Sequence, residues 1–326
     1  MSKHYAVISI GTNSTRVALA DMAADVPRVD LARSIGTRIG EGLREHGELG
    51  EEPMRRTIDA VRSHLRTVRG HYVRLFAIAT SALRRASNGE AFTARVQDVL
   101  GVTLQILSGD EEAEASYRGA ITAFGPLHNE ELGVVDVGGG STEYATGNGA
   151  TPDRTVSCEI GAVRLTEMLP LLAGKDGVVD LDTIEQARKI AREAVAPIGD
   201  FPKVGHVAFV GGSATTVAAL IRGKRTKLDT YELSRNDLQR ALVRLCALPL
   251  DERKALAGIK PQRADILPAG IIVLETVLDL IGEDRATATT ADLLLGHLLQ
   301  QVDRAGRAGP GPGWSPHGRS GHPSAH

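Results

Sequence analysis

Short apolar or alternating runs separated by Gly, Asn, Asp and Pro open the chain. YAVISIG, TRVALADM and RVDLARSI, within residues 4–33, predict three strands that fold back on one another. The period then changes. In EEPMRRTIDAVRSHLRTVRG, residues 51–70, Met54, Ile58, Val61, Leu65 and Val68 recur at spacings of three and four, which predicts an amphipathic helix with Pro53 near its start. Strand and helix alternate from there: RLFAIAT, the helical SALRRASNGEAFTARVQDVLG, the strand VTLQILSG, then the helical DEEAEASYRGAITAFG. This order predicts parallel βαβ units with covering helices.

Near residue 130 the strand series starts again with LGVVDVGGG, STEYATG and RTVSCEIG, followed by helical patterns near 162–172 and 181–198. The restart is visible in the letters. ISIGTNST (8–15) and VDVGGGST (135–142) align without gaps, Gly11 on Gly138, Ser14 on Ser141 and Thr15 on Thr142. Each copy opens a strand-turn-strand, so the chain reads as a duplicated domain plan. A third Gly-rich turn, VAFVGGSATTVAAL (207–220), joins an apolar strand to a Ser/Thr-rich helix start. Helices dominate the pattern from there to about residue 282, where SRNDLQRALVRL carries a Ser/Asn cap signal. The expectation is an α/β protein with one domain over 1–124, a second over 125–303, a cleft between them and a disordered tail over 304–326.

Composition narrows the function classes. Among 326 residues 42% are hydrophobic, 24% charged and only 3% aromatic, which suits a soluble α/β protein and leaves little for a base-stacking surface. A formal net charge of −2 means that an anion must be held by local donors rather than by a global field, and nucleic acid is not an expected partner. Cys158 and Cys246 have no metal or disulfide spacing and read as buried thiols of a reducing compartment. MSKHYAVISIG enters a strand without a signal-peptide pattern, and no apolar run of about eighteen residues follows, so the expected location is the cytoplasm, away from membrane.

The candidate chemistry sits at the turns. A strand-turn-strand with Gly-x-x-Ser gathers backbone N–H groups and a hydroxyl at one point, an anion nest without net charge. Two such turns facing each other can clamp a phosphate chain. Asp136 lies mid-strand in GVVDVGGG, where a carboxylate is costly unless it meets a cation or hydrogen bonds; Mg²⁺ held through water is its natural use. Glu143 follows the same turn and falls across from Asp136. Asp110, Glu111 and Glu112 stand at a helix start, where acids ordinarily offset the helix dipole. One of them could instead deprotonate a water for attack on phosphorus, and the pattern does not say which. Arg84 and Arg85 follow a strand end and offer the guanidinium fork that phosphate favours, with one of the pair expected to face solvent.

Taken in order, IGTNSTR, IGEGLREHGELGEE, ATSALRRASN, ILSGDEEAEASYRGA, VVDVGGGSTE, SCEIGAVRLTE, FVGGSATTVAAL and QRADILPAG resemble the motif series of the Ppx/GppA family of exopolyphosphatases and guanosine-pentaphosphate phosphohydrolases, in its short, two-domain form, across residues 4–300. The resemblance implies duplicated actin-like ATPase domains (acetate and sugar kinase/Hsp70/actin, ribonuclease H-like) around a cleft, and Mg²⁺-dependent hydrolysis of a terminal phosphoanhydride. It assigns the base to Glu112, the metal and water carboxylates to Asp136 and Glu143, and a phosphate-gripping arginine to Arg84. Phosphate loops map to Gly11, Thr12, Asn13 and Ser14 and to Gly138, Gly139, Gly140 and Ser141, with a third Gly pair at Gly211 and Gly212.

Two departures stand out. The family usually has Asp in its first strand where this chain has Ser9, and an Arg-Glu pair before the Gly of ADLLLGHLL is missing. The leading expectation is exopolyphosphatase. Alternatives are hydrolysis of guanosine pentaphosphate, a weakly active or inactive sensor of polyphosphate or alarmone, and an ATP-using enzyme of the same fold. Expected partners are inorganic polyphosphate or guanosine penta- and tetraphosphate, together with a second copy of the chain.

Overall fold

The computed structural model describes residues 4–23, 27–124, 130–225 and 229–308. Its first half contains β1 His4–Ile10, β2 Ser14–Asp21, β3 Arg28–Gly36, α1 Leu43–His46, α2 Glu51–Val68, β4 Arg74–Ala79, α3 Ser81–Arg85, α4 Gly89–Leu100, β5 Gln105–Ile106 and α5 Gly109–Ile121. The second half contains β6 Leu132–Val137, β7 Thr142–Gly147, β8 Arg154–Cys158, α6 Ala162–Met168, α7 Leu181–Ala194, β9 His206–Val210 and α8 Gly211–Arg222. It continues with β10 Thr230–Ser234, α9 Arg235–Cys246, α10 Leu250–Ala255, α11 Leu267–Ile281, β11 Arg285–Thr289 and α12 Leu293–Ala308.

The two halves build sheets with a shared core order, five strands in the first and six in the second. The first runs β3-β2-β1-β4-β5 and the second β10-β11-β9-β6-β7-β8. In each, three antiparallel strands lead into a parallel neighbour, β1 with β4 and β6 with β9. The repeated motif makes the same turn twice: Gly11 N–H donates to Ser14 C=O and Gly138 N–H to Ser141 C=O, both at 3.0 Å.

Alternation along the central strands sends side chains to two layers. Ala6, Ile8 and Ile10 of β1 join the core under α2 and α4, whereas Val7 joins a cluster with Leu293, Leu294, Leu295 and Leu298 of α12. In β6, Val135 and Val137 enter the large core of the second half, whereas Leu132 and Val134 pack with Ala113, Tyr117 and Ala120 of α5. The helices are thus exchanged. The last helix of the first half covers the second sheet, and the last helix of the second half covers the first. The two meet backbone to backbone, since a Cβ on Gly296 would stand 1.7 Å from Ala115 C=O and one on Gly119 2.1 Å from Asp292 C=O.

Some expected elements differ. The single helix over SALRRASNGEAFTARVQDVLG is broken between α3 and α4, where the Asn88 side chain bonds both the N–H and the C=O of Leu49, at 2.8 and 2.9 Å. The strand VTLQILSG contributes only Gln105 and Ile106 to a sheet edge. The helix-dominated stretch after residue 220 also holds β10, which with β11 extends the second sheet. The Ser234 cap signal proves to be a capping box with Asp237. The final helix continues to Ala308, past the expected start of the tail at 304; residues 309–326 lie outside the described residues, as do residues 125–129 around the expected domain boundary. Among the described residues no helix is long and apolar enough to cross a membrane.

Because the α5–α12 crossing leaves no room for a methyl group, Gly296→Ala should destabilise the fold by about 1–3 kcal/mol, the range for overpacking a tight contact. A urea midpoint equal to that of the native chain would contradict the backbone contact.

Candidate active site

The two repeated turns face each other. A Cβ on Gly139 would come within 3.0 Å of Thr12 Cβ and 3.3 Å of Asn13 N. Between them lies a cavity of about 90 Å³ whose wall holds Gly11, Thr12, Asn13 and Ser14 from the first turn and Gly138, Gly139, Gly140 and Ser141 from the second. Gly211 and Gly212, the start of α8, line it as well. Gly211 has φ +82°, which glycine alone adopts freely, and a Cβ there would lie 2.4 Å from Asp136 Oδ1. The third turn is therefore glycine-rich so that the Asp136 carboxylate can press against it.

Buried polar atoms around the cavity are unpaired. Asn13 Nδ2 and Oδ1 and Ser81 Oγ have no hydrogen-bond partner within the protein. Buried polar groups are ordinarily paired, so these atoms mark where a polar ligand would bind.

The acids at the start of α5 divide by role. Asp110 accepts from Thr155 Oγ1 at 2.8 Å near the surface. Glu111 closes a capping box with Ser108. Glu112 alone of the three lines the cavity, and it is buried. Burial pushes its carboxyl up to about 7, although the adjoining Arg84 guanidinium works the other way. Asp136, opposite Glu143 in the β6–β7 register, accepts from Ser116 Oγ of α5 at 2.7 Å. Burial and the nearby Asp292 raise Asp136 to about 6, against Ser116, Arg16 and Arg263. Glu143 accepts from Ser157 Oγ at 2.8 Å and is raised well above the carboxylate range, by burial first and then by Glu112 and Asp136. Three carboxylates thus share one cavity in which none ionises easily.

Arg84 adjoins the cavity through Glu112. Its Nη1 pairs with Glu112 and donates to Leu107 C=O at 2.8 Å, and its side chain lines a neighbouring cavity of about 360 Å³ rather than the one between the turns. Arg85 is paired with Glu159 at 3.1 Å. Two cations on the cavity wall, Arg16 and Arg263, were given no role from the sequence. Arg16 lies directly across from Ser9 in the β1–β2 register and donates to Asp292 at 2.5 Å. Its signal was available, because Arg16 sits two residues beyond Ser14 on the same strand face. Arg263 presses on Gly212, where a Cβ would lie 2.1 Å from a guanidinium nitrogen.

The sequence profile of the Ppx/GppA phosphatase family matches residues 28–304. The chain is 33% identical over 316 residues to Exopolyphosphatase 2 of Mycobacterium tuberculosis, covering 90% of this chain and 97% of that protein. This protein belongs to the Ppx/GppA phosphatase family. Other relatives are longer. The chain spans 46% of a bifunctional 3-dehydroquinate synthase/phosphatase of Fusobacterium nucleatum, at 26% identity over 91% of this chain. It spans 60% of a guanosine-5′-triphosphate,3′-diphosphate pyrophosphatase of Photobacterium profundum, at 27% identity over 93% of this chain. Solved structures agree on the fold. An exopolyphosphatase from Cytophaga hutchinsonii superposes with a TM-score of 0.83 at 26% identity, covering 93% of this chain and 98% of that one. The Aquifex aeolicus family member gives 0.76 at 25% identity, with 93% and 99% covered. The fold is the actin-like ATPase fold.

Family phosphatases are generally dependent on a divalent cation. The donor set of this member fits Mg²⁺ of one kind. Among the described residues no three acids, histidines or cysteines converge as a closed metal cage. Mg²⁺ usually keeps several waters and takes one or two carboxylates plus phosphate oxygens, which suits Asp136 and Glu143 on one wall.

Raised carboxyl pKa values have a consequence for stability. The unfolded chain releases these protons near the ordinary carboxylate values, whereas the folded chain holds Asp136 to about 6 and Glu112 to about 7. Between those values the folded state binds more protons, so stability falls as pH rises. In EDTA the Tm should therefore decline from about pH 5 to about pH 8, and Asp136→Asn should recover on the order of 1–2 kcal/mol at the upper end. A variant with an unchanged slope would contradict the burial of this charge.

Proposed function

We propose that the protein is an exopolyphosphatase that hydrolyses the terminal phosphate of inorganic polyphosphate with Mg²⁺. The observation that carries this reading is that Glu112, alone among the acids at the start of α5, enters the cavity between the two phosphate-type turns, where burial raises its carboxyl above the ordinary range. A base poised near neutrality combines a useful ionised fraction with a useful affinity for the proton.

In this reading the turns hold the terminal phosphate by backbone N–H groups, with Asn13 and Ser81 supplying side-chain bonds. Glu112 takes the proton of a water whose oxygen bonds to phosphorus as the bond to the chain oxygen breaks. Arg84 fixes the direction of the Glu112 carboxylate through their ion pair. Arg16 from the first half and Arg263 from the second offset the charge of the departing chain. When bound at Asp136 and Glu143, Mg²⁺ supplies charge neutralisation on the phosphate oxygens. Polyphosphate rather than the alarmone is taken as the substrate of this reading. The full-length similarity to a mycobacterial exopolyphosphatase supports the same choice.

Ser9 motivates a second reading. It is buried on the cavity wall where the matching position of the second half is Asp136, so the first turn lacks a carboxylate. That arrangement suits a weakly active or inactive polyphosphate binder.

Phosphate release from polyphosphate, guanosine pentaphosphate and ATP, with and without Mg²⁺, tests these readings. Polyphosphate should turn over fastest, and Glu112→Gln should lower kcat by about 10²–10⁴-fold, the usual worth of a positioned base. Undiminished release in that variant would remove Glu112 from the mechanism. Saturable binding without turnover, with hydrolysis appearing in Ser9→Asp, would favour the sensor.

A further inference from the structure

The loop after β3 is fastened to the first phosphate turn from behind. Thr37 and Arg38 N–H both donate to Asn13 C=O, at 3.1 and 3.0 Å, and Gly40 N–H donates to Thr12 C=O at 3.1 Å. The fit is tight, since a Cβ on Gly40 would stand 2.4 Å from Thr12 Cγ2. From this loop the Arg38 side chain crosses to the second half. Its Nη2 donates to Asp265 Oδ1 at 2.8 Å and to Gln262 C=O at 3.1 Å, and lies 2.7 Å from Asp265 Oδ2. These acceptors bracket Arg263, which closes the 3₁₀ turn Pro261–Arg263 ahead of α11. Further along the same loop, Gly42 N–H bonds the Glu167 carboxylate of α6.

The backbone of Arg38 is strained. Its φ is 48°, and among the described residues it is the only non-glycine at positive φ. An arginine gains nothing local from the left-handed region, where glycine would sit at lower cost. Such strain persists where the surroundings over-determine a residue. Here the Arg38 N–H is held by Asn13, and the guanidinium by an Asp265 side chain that is only 11% exposed. The two ends of the residue thus join groups that reach the cavity from opposite halves. On one side is Asn13, whose amide Oδ1 and Nδ2 are buried without partners. On the other is Arg263, pressed against Gly212 on the cavity wall. Arg38 itself is not among the residues that line the cavity.

We propose that Arg38 is a positioning residue for anion binding: its bonds to Asp265 and Gln262 set the separation of Asn13 and Arg263, so that both meet one phosphate chain across the cleft. The identity of the anion as polyphosphate rests on the hydrolytic reading above; the bracing of the two walls does not. Arg38 touches none of Glu112, Asp136 and Glu143, so its contribution falls on binding rather than on the chemical step. The strain in its backbone is the cost of carrying a side chain where the turn alone would favour glycine.

The test sets stability against binding, on the full chain. Arg38→Gly removes the side chain and the strain together, so its urea midpoint should equal or exceed the native one. Tripolyphosphate, titrated calorimetrically in EDTA, should nevertheless bind on the order of tenfold more weakly. Arg38→Lys keeps the charge without the guanidinium fork and should fall between the two. Asp265→Asn should weaken binding likewise, and the double variant Arg38→Gly/Asp265→Asn should be no worse than either single one, since both act through one contact. In Mg²⁺ assays on long chains KM should carry the loss while kcat stays near the native value. Native affinity in Arg38→Gly, a binding loss matched by a fall in the urea midpoint, or additive losses in the double variant would overturn the proposal, as would a native chain that takes up no tripolyphosphate. Absent turnover by the native chain with the binding loss intact would overturn only the hydrolytic reading.

Discussion

The backbone contact between α5 and α12 is the constraint on which the rest of the site depends. Each helix ends one half of the duplicated plan, and each lies on the sheet of the other half. At the crossing Gly296 meets Ala115 and Gly119 meets Asp292, so the two helices cannot separate by even a methyl group without shifting both sheets. This fixes what projects from their first turns. Glu112 of α5 enters the cavity, Ser116 one turn on bonds Asp136, and Asp292 at the start of α12 holds Arg16. The carboxylate proposed as base is thus placed relative to the carboxylates proposed for metal by helix packing rather than by a loop.

The duplication holds in the backbone of the turns and is broken in charge. The matching turns make the same Gly-to-Ser hydrogen bond, yet the cross-strand pair behind the first is Ser9 with Arg16, and behind the second Asp136 with Glu143. One wall of the cavity offers donors and a cation; the other offers two buried carboxylates. A phosphate bound between them would meet hydrogen bonds on one side and, on the other, the two carboxylates proposed for the metal. Ser9, standing where the second copy of the repeat has Asp136, sharpens this polarity and leaves the acidic groups on the second half and α5.

Much of this was legible in the residues. The period change at 51, the restart near 130 and the eight-residue match of the two turns all reflect local backbone demands, which leave marks in sequence. The three acids of SGDEEA could not be separated by pattern, because dipole compensation, capping and a catalytic role all ask for a carboxylate in a first turn. Only packing shows Glu111 turned back to Ser108 and Glu112 turned inward. The pairing of Arg84 with Glu112, that of Arg85 with Glu159 and the arrival of Arg263 at Gly212 join residues from distant parts of the chain, and no local signal encodes such meetings. The short β10 and β11 escaped for a different reason: each is five residues set between strongly helical patterns.

The account turns on a buried glutamate whose environment, not its chemistry, tunes it to neutrality. Carbon-13 NMR of the chain labelled at glutamate side-chain carboxyls, titrated without divalent cation, tests this most directly. The account predicts a carboxyl resonance that titrates well above the ordinary range and disappears from the spectrum of Glu112→Gln. A Glu112 resonance titrating in the ordinary carboxylate range, near 4.5, would contradict it.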